Sequence, residues 1–321
     1  MKVLVTGANG FIGSHIVKLL LQLGKEVKIL VRRNSNLQNI RGLDVEFVYG
    51  DIQDKDALKN ALDGCNVVYH LAAYYSNRGE RELMYEINVK GTKNLLEIAF
   101  KNNIEKLIYT STIGTIGRPE NNNTLPNEET AFNLWDVASD YVKSKYLAEC
   151  EVMKFFELGL PAVIVHPCAP VGAGDIKPSV SGQKIVDYLN GKLPSYPKMG
   201  INWIYVKDVA WGHVLAAQKG KPGERYILGN KNLTRDEFLA LMKKITETYF
   251  KTFKRTATLR NRLWSIIGIK RERLYLPVLT CDCSKAVKEL GLPQTPIEIG
   301  FKEAIEWFIR NNYVGGKQRR W

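Results

Sequence analysis

No apolar run in the 321-residue sequence reaches the roughly 18 residues that a membrane-spanning helix needs. The N-terminus also lacks the pattern of a cleavable leader. It has one lysine and no small-residue cleavage site, and its apolar residues belong to a strand and a helix. Cysteine is scarce and scattered at Cys65, Cys150, Cys168, Cys281 and Cys283. The spacing of Cys281-Asp-Cys283 suits neither a redox nor a zinc motif, so free thiols, no metal and a reducing cytoplasm are expected. Internal repeats, low-complexity segments and recognised nucleic-acid modules are also missing, and no nucleic-acid partner is expected. Acidic residues are comparatively few: 33 Asp and Glu stand against 46 Lys and Arg, a net charge of +13. Much of the excess lies in Lys251–Arg273 (Lys251, Lys254, Arg255, Arg260, Arg262, Lys270, Arg271 and Arg273) and in Lys317, Arg319 and Arg320. It reads either as a solvated helix face with a frayed end, or as a basic surface that draws an anionic substrate or touches a membrane without inserting.

What is present is an ordinary globular composition, 45% hydrophobic and 25% charged, in a length suited to one large domain or two unequal lobes. The sequence opens with KVLVTGANGFIGSH, in which a β-branched strand meets Gly7, Gly10 and Gly13 and then a helical apolar pattern. Glycine there allows a tight turn, a close approach of pyrophosphate and close helix–strand packing. The free N–H groups of the helix start would face the anion. Strand and helix patterns then alternate through Glu26–Val31, Val45–Tyr49, Asp54–Leu62, Asn66–Leu71, Met84–Asn102, Lys106–Ser111, Asp136–Glu157 and Ala162–His166. That order predicts an α/β fold, a Rossmann-type doubly wound parallel sheet. Its ligand rim would carry Gly7, Asp51, Ala72, Thr112 and Pro167. After Pro167 the regular alternation stops. The expected division is a cofactor domain over 1–168, with Tyr205–Gln218 returning to it, and a smaller C-terminal substrate lobe over 169–321.

Tyr141 and Lys145 are spaced by four within a helical stretch, which puts them on one face a turn apart. A phenol with a pKa near about 10 is a poor proton shuttle at neutral pH. A nearby ammonium, together with a positively charged nicotinamide ring, favours the phenolate and lowers that pKa, and the phenol can then act as general acid or base. The second strand ends in Val31, Arg32 and Arg33. A carboxylate that bonds the ribose 2′-OH usually stands about 20 residues beyond the glycines. With none present and two guanidinium groups adjacent, NADP(H) is expected over NAD(H).

The chain resembles the short-chain dehydrogenase/reductase superfamily, in its extended branch of NAD(P)-dependent epimerases, dehydratases and reductases. The resemblance rests on TGANGFIG (Thr6–Gly13), GDIQD (Gly50–Asp54), HLAA (His70–Ala73), INVKGTKNLL (Ile87–Leu96), TST (Thr110–Thr112), YVKSK (Tyr141–Lys145) and YVKDVA (Tyr205–Ala210). Pro170–Tyr196 and Gly223–Thr234 are most similar to hopanoid-associated sugar epimerases, and dihydroflavonol-reductase-like proteins come next. The resemblance implies Tyr141 as acid/base, Lys145 on the nicotinamide ribose, and Thr112 hydrogen-bonding the reacting oxygen. It also implies a cofactor groove built from Gly7, Asn9, Gly10, Phe11, Ile12, Gly13, Asp51, Ile52, Leu71, Ala72 and Ala73, with Arg32 and Arg33 at its ribose end. Asn88 would be a buried polar support, and Pro167 would close over the nicotinamide. Ser111 would point away or steady the strand end, and His166 reads as a satisfied, partly buried histidine.

The implied reaction is hydride transfer between the nicotinamide and a carbonyl or secondary alcohol of a small molecule. A nucleotide sugar, as in the epimerases, and a small aldehyde or ketone, as in the reductases, both stay open. A non-catalytic NADP-sensing protein is a remote third reading. Dehydratases of the branch carry acids after the site threonine, where this chain has Ile113 and Gly114. The arginine with which sugar epimerases tend to clamp a diphosphate is replaced by Ile201. Arg271 or Arg273 is a candidate substitute. Tyr74, Tyr75, Trp135, Tyr196 and Trp203 would suit a less charged substrate, or are simply core. Relatives dimerise through the helices matching Met84–Asn102 and Asp136–Glu157, so a homodimer is a further expectation.

Overall fold

Strand β1 (Lys2–Thr6) sorts its side chains by the period of a strand: Val3 and Val5 enter one hydrophobic core, and Leu4 enters the other. The computed structural model describes residues 1–76, 80–121, 123–249 and 279–315. Around β1 stand β2 (Glu26–Val31), β3 (Glu46–Tyr49), β4 (Val67–His70), β5 (Lys106–Thr110) and β6 (Ala162–Pro167). With a later strand, β9 (Arg225–Leu228), they form a seven-stranded sheet in the order β3-β2-β1-β4-β5-β6-β9. Every pairing in it is parallel.

Helices cover both faces. On one, α1 (Phe11–Gln22) and α7 (Val206–Lys219) bring Ile16, Val17 and Leu20 together with Val209 and Val214. On the other, α2 (Lys55–Leu62), α4 (Thr92–Lys101) and α5 (Asp140–Glu157) bury Leu58, Leu95, Ala148 and Val152. The boundaries follow local chemistry. Asp54 accepts from the N–H groups of Asp56 and Ala57 at 2.9 and 3.1 Å and starts α2. Ser139 accepts from Val142 N–H at 3.3 Å, so α5 begins at Asp140 and not at Asp136. The helical run before α4 is not uniform: α3 (Arg81–Tyr85) passes into a π-turn at Glu86–Gly91. Such a turn re-aims a side chain without breaking the helix, and here the side chain is Asn88.

Two elements beyond residue 168 belong to the main layer: α7, which matches the expected return at Tyr205–Gln218, and β9. The smaller lobe has a three-stranded sheet of β7 (Ala169–Val171), β8 (Ile201–Tyr205) and β10 (Lys231–Leu233), in the order β10-β8-β7. Helices α6 (Val180–Leu189), α8 (Arg235–Tyr249) and α9 (Ile297–Arg310) surround it. Its core is aromatic: Trp203 lies 5.4 Å from Phe238 and 4.9 Å from Phe301, centroid to centroid. At the β9 edge of the large sheet, the buried Glu128 accepts from Ile227 N–H at 2.8 Å, and its carbonyl accepts from Arg225. Among the described residues, no helix is long and apolar enough to cross a membrane, and no His, Cys, Asp and Glu cluster is placed to hold a metal.

Candidate active site

The glycine run forms a corner in which side chains have no room. Gly7 takes a left-handed φ of 70°, and a Cβ there would lie 2.8 Å from Ala72 N. A Cβ on Gly13 would lie 2.2 Å from the Gly7 carbonyl oxygen. Thr6 ties the corner to the next strand end, because its Oγ1 accepts from the N–H groups of Leu71 and Ala72, each at 3.2 Å. Helix α1 starts at Gly10 without a capping side chain and without an acid in its first turn. This combination fits a dinucleotide pyrophosphate: bare backbone donors, the positive end of a helix dipole and close backbone approach. Asn9 Nδ2 donates to the Asn36 carbonyl at 3.1 Å and holds the loop after β2 against this corner. Phe11 and Ile12 are half-buried on the first turn of α1.

Along the same rim, Arg32 Nη1 lies 4.0 Å from Asp51 Oδ2, with Arg32 59% exposed, so its guanidinium is open to an added anion. Arg33 stacks over the Tyr49 ring at 5.4 Å. Asp51 also accepts from Gln53 N–H at 3.0 Å, while Ile52 is buried against Gly91. Ala73 is exposed, and Pro167 is buried at the end of β6, paired with Leu228.

Tyr141 and Lys145 sit on the first turns of α5, as their spacing requires. Lys145 is 2% exposed, and its Nζ lies 4.2 Å from the centroid of the Tyr109 ring, a cation–π contact. Tyr141 is half-buried, and the Tyr75 ring stands edge-on to it at 5.1 Å. Thr112, at the end of β5, accepts from Gly114 N–H at 3.3 Å, and a Cβ on Gly114 would meet Val142 of α5 at 2.9 Å. The threonine corner therefore packs directly on the helix that carries Tyr141. In the protein without its cofactor, burial sets the electrostatics of the pair. Burial pushes the Tyr141 phenol up to about 12, helped by Tyr75, and burial pulls the Lys145 ammonium down to about 7 against the pull of Glu149. Desolvation is the largest cause for both groups in the protein alone.

The polar partners of these residues were not named by the sequence reading. Asn88, the expected buried polar support, holds the Tyr74 backbone: its Nδ2 donates to the Tyr74 carbonyl and to Ser144 Oγ, both at 2.9 Å. Ser111 donates to Glu149, a 4% exposed carboxylate one turn beyond Lys145. The interval from Tyr141 to Lys145 to Glu149 is four each time, and that spacing was the available signal. His70 bridges Thr6 Oγ1 at 2.7 Å and Thr92 Oγ1 at 3.0 Å, and burial pulls its pKa down to about 3. His166 is fully buried, not partly so. Its Nδ1 faces Thr115 Oγ1 at 3.1 Å and the Thr112 carbonyl at 3.2 Å, but its Nε2 has no partner among the described residues.

The structure separates two of the suggested substrate contacts from this group. Tyr196 belongs to the core of the small lobe, where its hydroxyl donates to the Leu233 carbonyl at 2.9 Å and accepts from Trp203 Nε1 at 2.8 Å. Trp203 is likewise core, with no exposed surface. Tyr74 lies on the loop after β4, and its hydroxyl donates to Glu80 at 2.5 Å. Arg271, the basic stretch 251–273 and the C-terminal lysine and arginines lie outside the described residues.

Residues 3–229 match the model of the NAD dependent epimerase/dehydratase family. A putative dihydroflavonol 4-reductase of Synechocystis is 35% identical, across 97% of this chain and 95% of that protein. Sterol demethylase protein B of Methylococcus capsulatus is 30% identical, across 98% of this chain and 100% of that protein. A UDP-glucose 4-epimerase from Thermotoga maritima, solved with UDP-glucose, superposes with a TM-score of 0.80 at 25% identity, over 97% of this chain and 100% of that one. The chain belongs to the NAD-dependent epimerase/dehydratase family, as an enzyme of the extended short-chain dehydrogenase/reductase type.

Proposed function

We propose that this enzyme is an NADP(H)-dependent reductase that interconverts a carbonyl and a secondary alcohol on a small, weakly charged substrate. The observation that carries the reading is the placement of Tyr141 and Lys145 on one face of α5, packed against the Thr112 corner at the end of β5. The glycine corner would hold the pyrophosphate, Lys145 the nicotinamide ribose, and Arg32 with Arg33 a 2′-phosphate. When bound, the nicotinamide supplies or accepts the hydride. Thr112 hydrogen-bonds the substrate oxygen and fixes its distance from Tyr141. The Tyr141 hydroxyl gives its proton to that oxygen as the carbonyl becomes an alcohol, and takes it back in the reverse direction. Because burial holds the phenol near 12 in the protein alone, the protonated form is the resting one, which suits a proton donor in reduction. Lys145 then supports the phenolate left behind.

Two features favour reduction of a weakly charged compound over turnover of a nucleotide sugar. Position 201 is a buried isoleucine within β8, 2% exposed, where a diphosphate clamp would need an arginine. Beside Tyr141 stands an aromatic wall, Tyr75, which suits a planar or apolar substrate. Epimerisation of a sugar is the second reading, supported by the family and by the 0.80 superposition on a UDP-glucose epimerase.

NADPH fluorescence on binding, followed by a panel of aldehydes and ketones, tests the proposal. Tyr141→Phe should bind NADPH normally and lose turnover by about 10²-fold or more. A chain that binds NADPH but oxidises it with no carbonyl in a Tyr141-dependent way is not this reductase. Conversion of nucleotide sugars without net change in cofactor would instead establish the epimerase reading.

A further inference from the structure

Next to the Tyr141–Lys145 pair lies a buried polar set that the reaction above does not use. Tyr141, Lys145 and Glu149 follow at intervals of four along α5 and share one face. Glu149 is 4% exposed. Its Oε1 accepts from Ser111, and the same oxygen lies 3.8 Å from His166 Nδ1. A buried carboxylate with so few donors is costly unless a cation faces it. The titratable and charged groups around it are Lys145, Tyr146 and Cys150 on α5, Tyr109 on β5, His166 on β6 and Arg225 on β9. Burial keeps the His166 ring neutral by lowering its pKa, and the Arg225 guanidinium is engaged with the Glu128 carbonyl. That leaves Lys145, a buried ammonium one turn away on the same helix face.

We propose that Glu149 is a positioning residue: its buried carboxylate, held by Ser111, is the partner charge that keeps Lys145 protonated. Ser111 precedes Thr112, and His166 reaches the Thr112 carbonyl, so the same anchor also steadies the threonine corner. The proposal rests on the role given to Lys145 above, but its test needs no turnover. Lysines labelled with 13C at Cε in the full-length protein report their protonation by chemical shift, and the Lys145 resonance is assigned from its loss in Lys145→Met. In Glu149→Gln the Lys145 midpoint should fall by about one pH unit or more, because a facing negative charge has gone. The exposed Lys90 should not move. An unchanged Lys145 midpoint overturns the proposal. If the glutamine variant does not fold, Glu149→Asp keeps the charge but withdraws it by one methylene. Its Lys145 midpoint should then fall by less, and a midpoint equal to the parent's again overturns the proposal. Failure of the reductase reading would appear in the Tyr141→Phe assay and would leave this midpoint unaffected, so the two failures are distinguishable.

Discussion

Asn88 grips Tyr74 by both backbone groups: Tyr74 N–H donates to Asn88 Oδ1 at 2.6 Å, and Asn88 Nδ2 donates to the Tyr74 carbonyl at 2.9 Å. The π-turn at Glu86–Gly91 brings that amide round to the loop. The next residue in the loop is Tyr75, whose ring stands edge-on to Tyr141, so one buried amide sets the aromatic wall beside the reacting phenol. Asn88→Leu would take the amide from the Tyr74 N–H and carbonyl, while the Ser144 hydroxyl would keep its hydrogen bond to the Tyr141 carbonyl. Each such group costs about 1–3 kcal/mol, and the urea midpoint should fall accordingly. A midpoint equal to the parent's would show that water replaces the amide at no cost.

Lys145 should be a liability to stability. Its ammonium is disfavoured by burial, so the folded protein binds this proton less tightly than the unfolded chain does. Stability therefore rises with pH between about 7, the folded value, and the ordinary 10.5, and the penalty is full below 7. Lys145→Met removes this titration but also leaves the Glu149 carboxylate without its partner, so the pH slope, and not the sign of the stability change at one pH, is the readout. The rise in stability between pH about 7 and about 10 that Lys145 contributes should be missing from the methionine variant. Denaturant unfolding at several pH values measures the slope, and a variant whose slope equals the parent's contradicts the burial argument.

At the glycine corner, Gly13→Ala is small chemically but large sterically. The added Cβ would sit 2.2 Å from the Gly7 carbonyl oxygen, which is backbone and cannot swing aside. Stability should fall by about 1–3 kcal/mol, the range for overpacking. NADPH affinity should fall with it, because the carbonyl shifts the same loop that would receive the pyrophosphate. Gly24→Ala is a contrast: nothing lies within 4 Å of its Cβ, so only its left-handed φ of 68° is strained. It should destabilise without changing the affinity for cofactor.

For cofactor choice, Val31→Asp would put a carboxylate at the end of β2, beside Arg32. NADPH binding should weaken by about tenfold or more while NADH binding improves, since a carboxylate repels a 2′-phosphate and accepts from a 2′-hydroxyl. Titration by cofactor fluorescence measures both. Equal affinities of the parent chain for NADH and NADPH would remove the role given to Arg32 and Arg33.

The parallel sheet was legible because the signals behind it are local: Val3, Leu4 and Val5 alternate between two cores, and Gly7, Gly10 and Gly13 mark the turn between strand and helix. Tyr141 and Lys145 were legible for the same reason, as a spacing along one helix. The contacts between distant segments were not. Ser111 and Glu149 are 38 residues apart, and Thr6 and His70 are 64 apart, so no periodicity joins them. Tyr196 stayed open between substrate contact and core because an aromatic residue in a Pro- and Gly-rich stretch looks the same whether it faces a ligand or packs on Phe238. The direction of the Tyr141 shift was also hidden, because desolvation depends on everything packed around the ring.

Glu128 gives the sheet a defined last strand. By accepting from Ile227 N–H, its carboxylate takes up a ladder donor of β9 that would otherwise invite an eighth strand from another molecule. A single side chain contributed by a loop nearly a hundred residues upstream thus acts as a terminator for the border of the sheet.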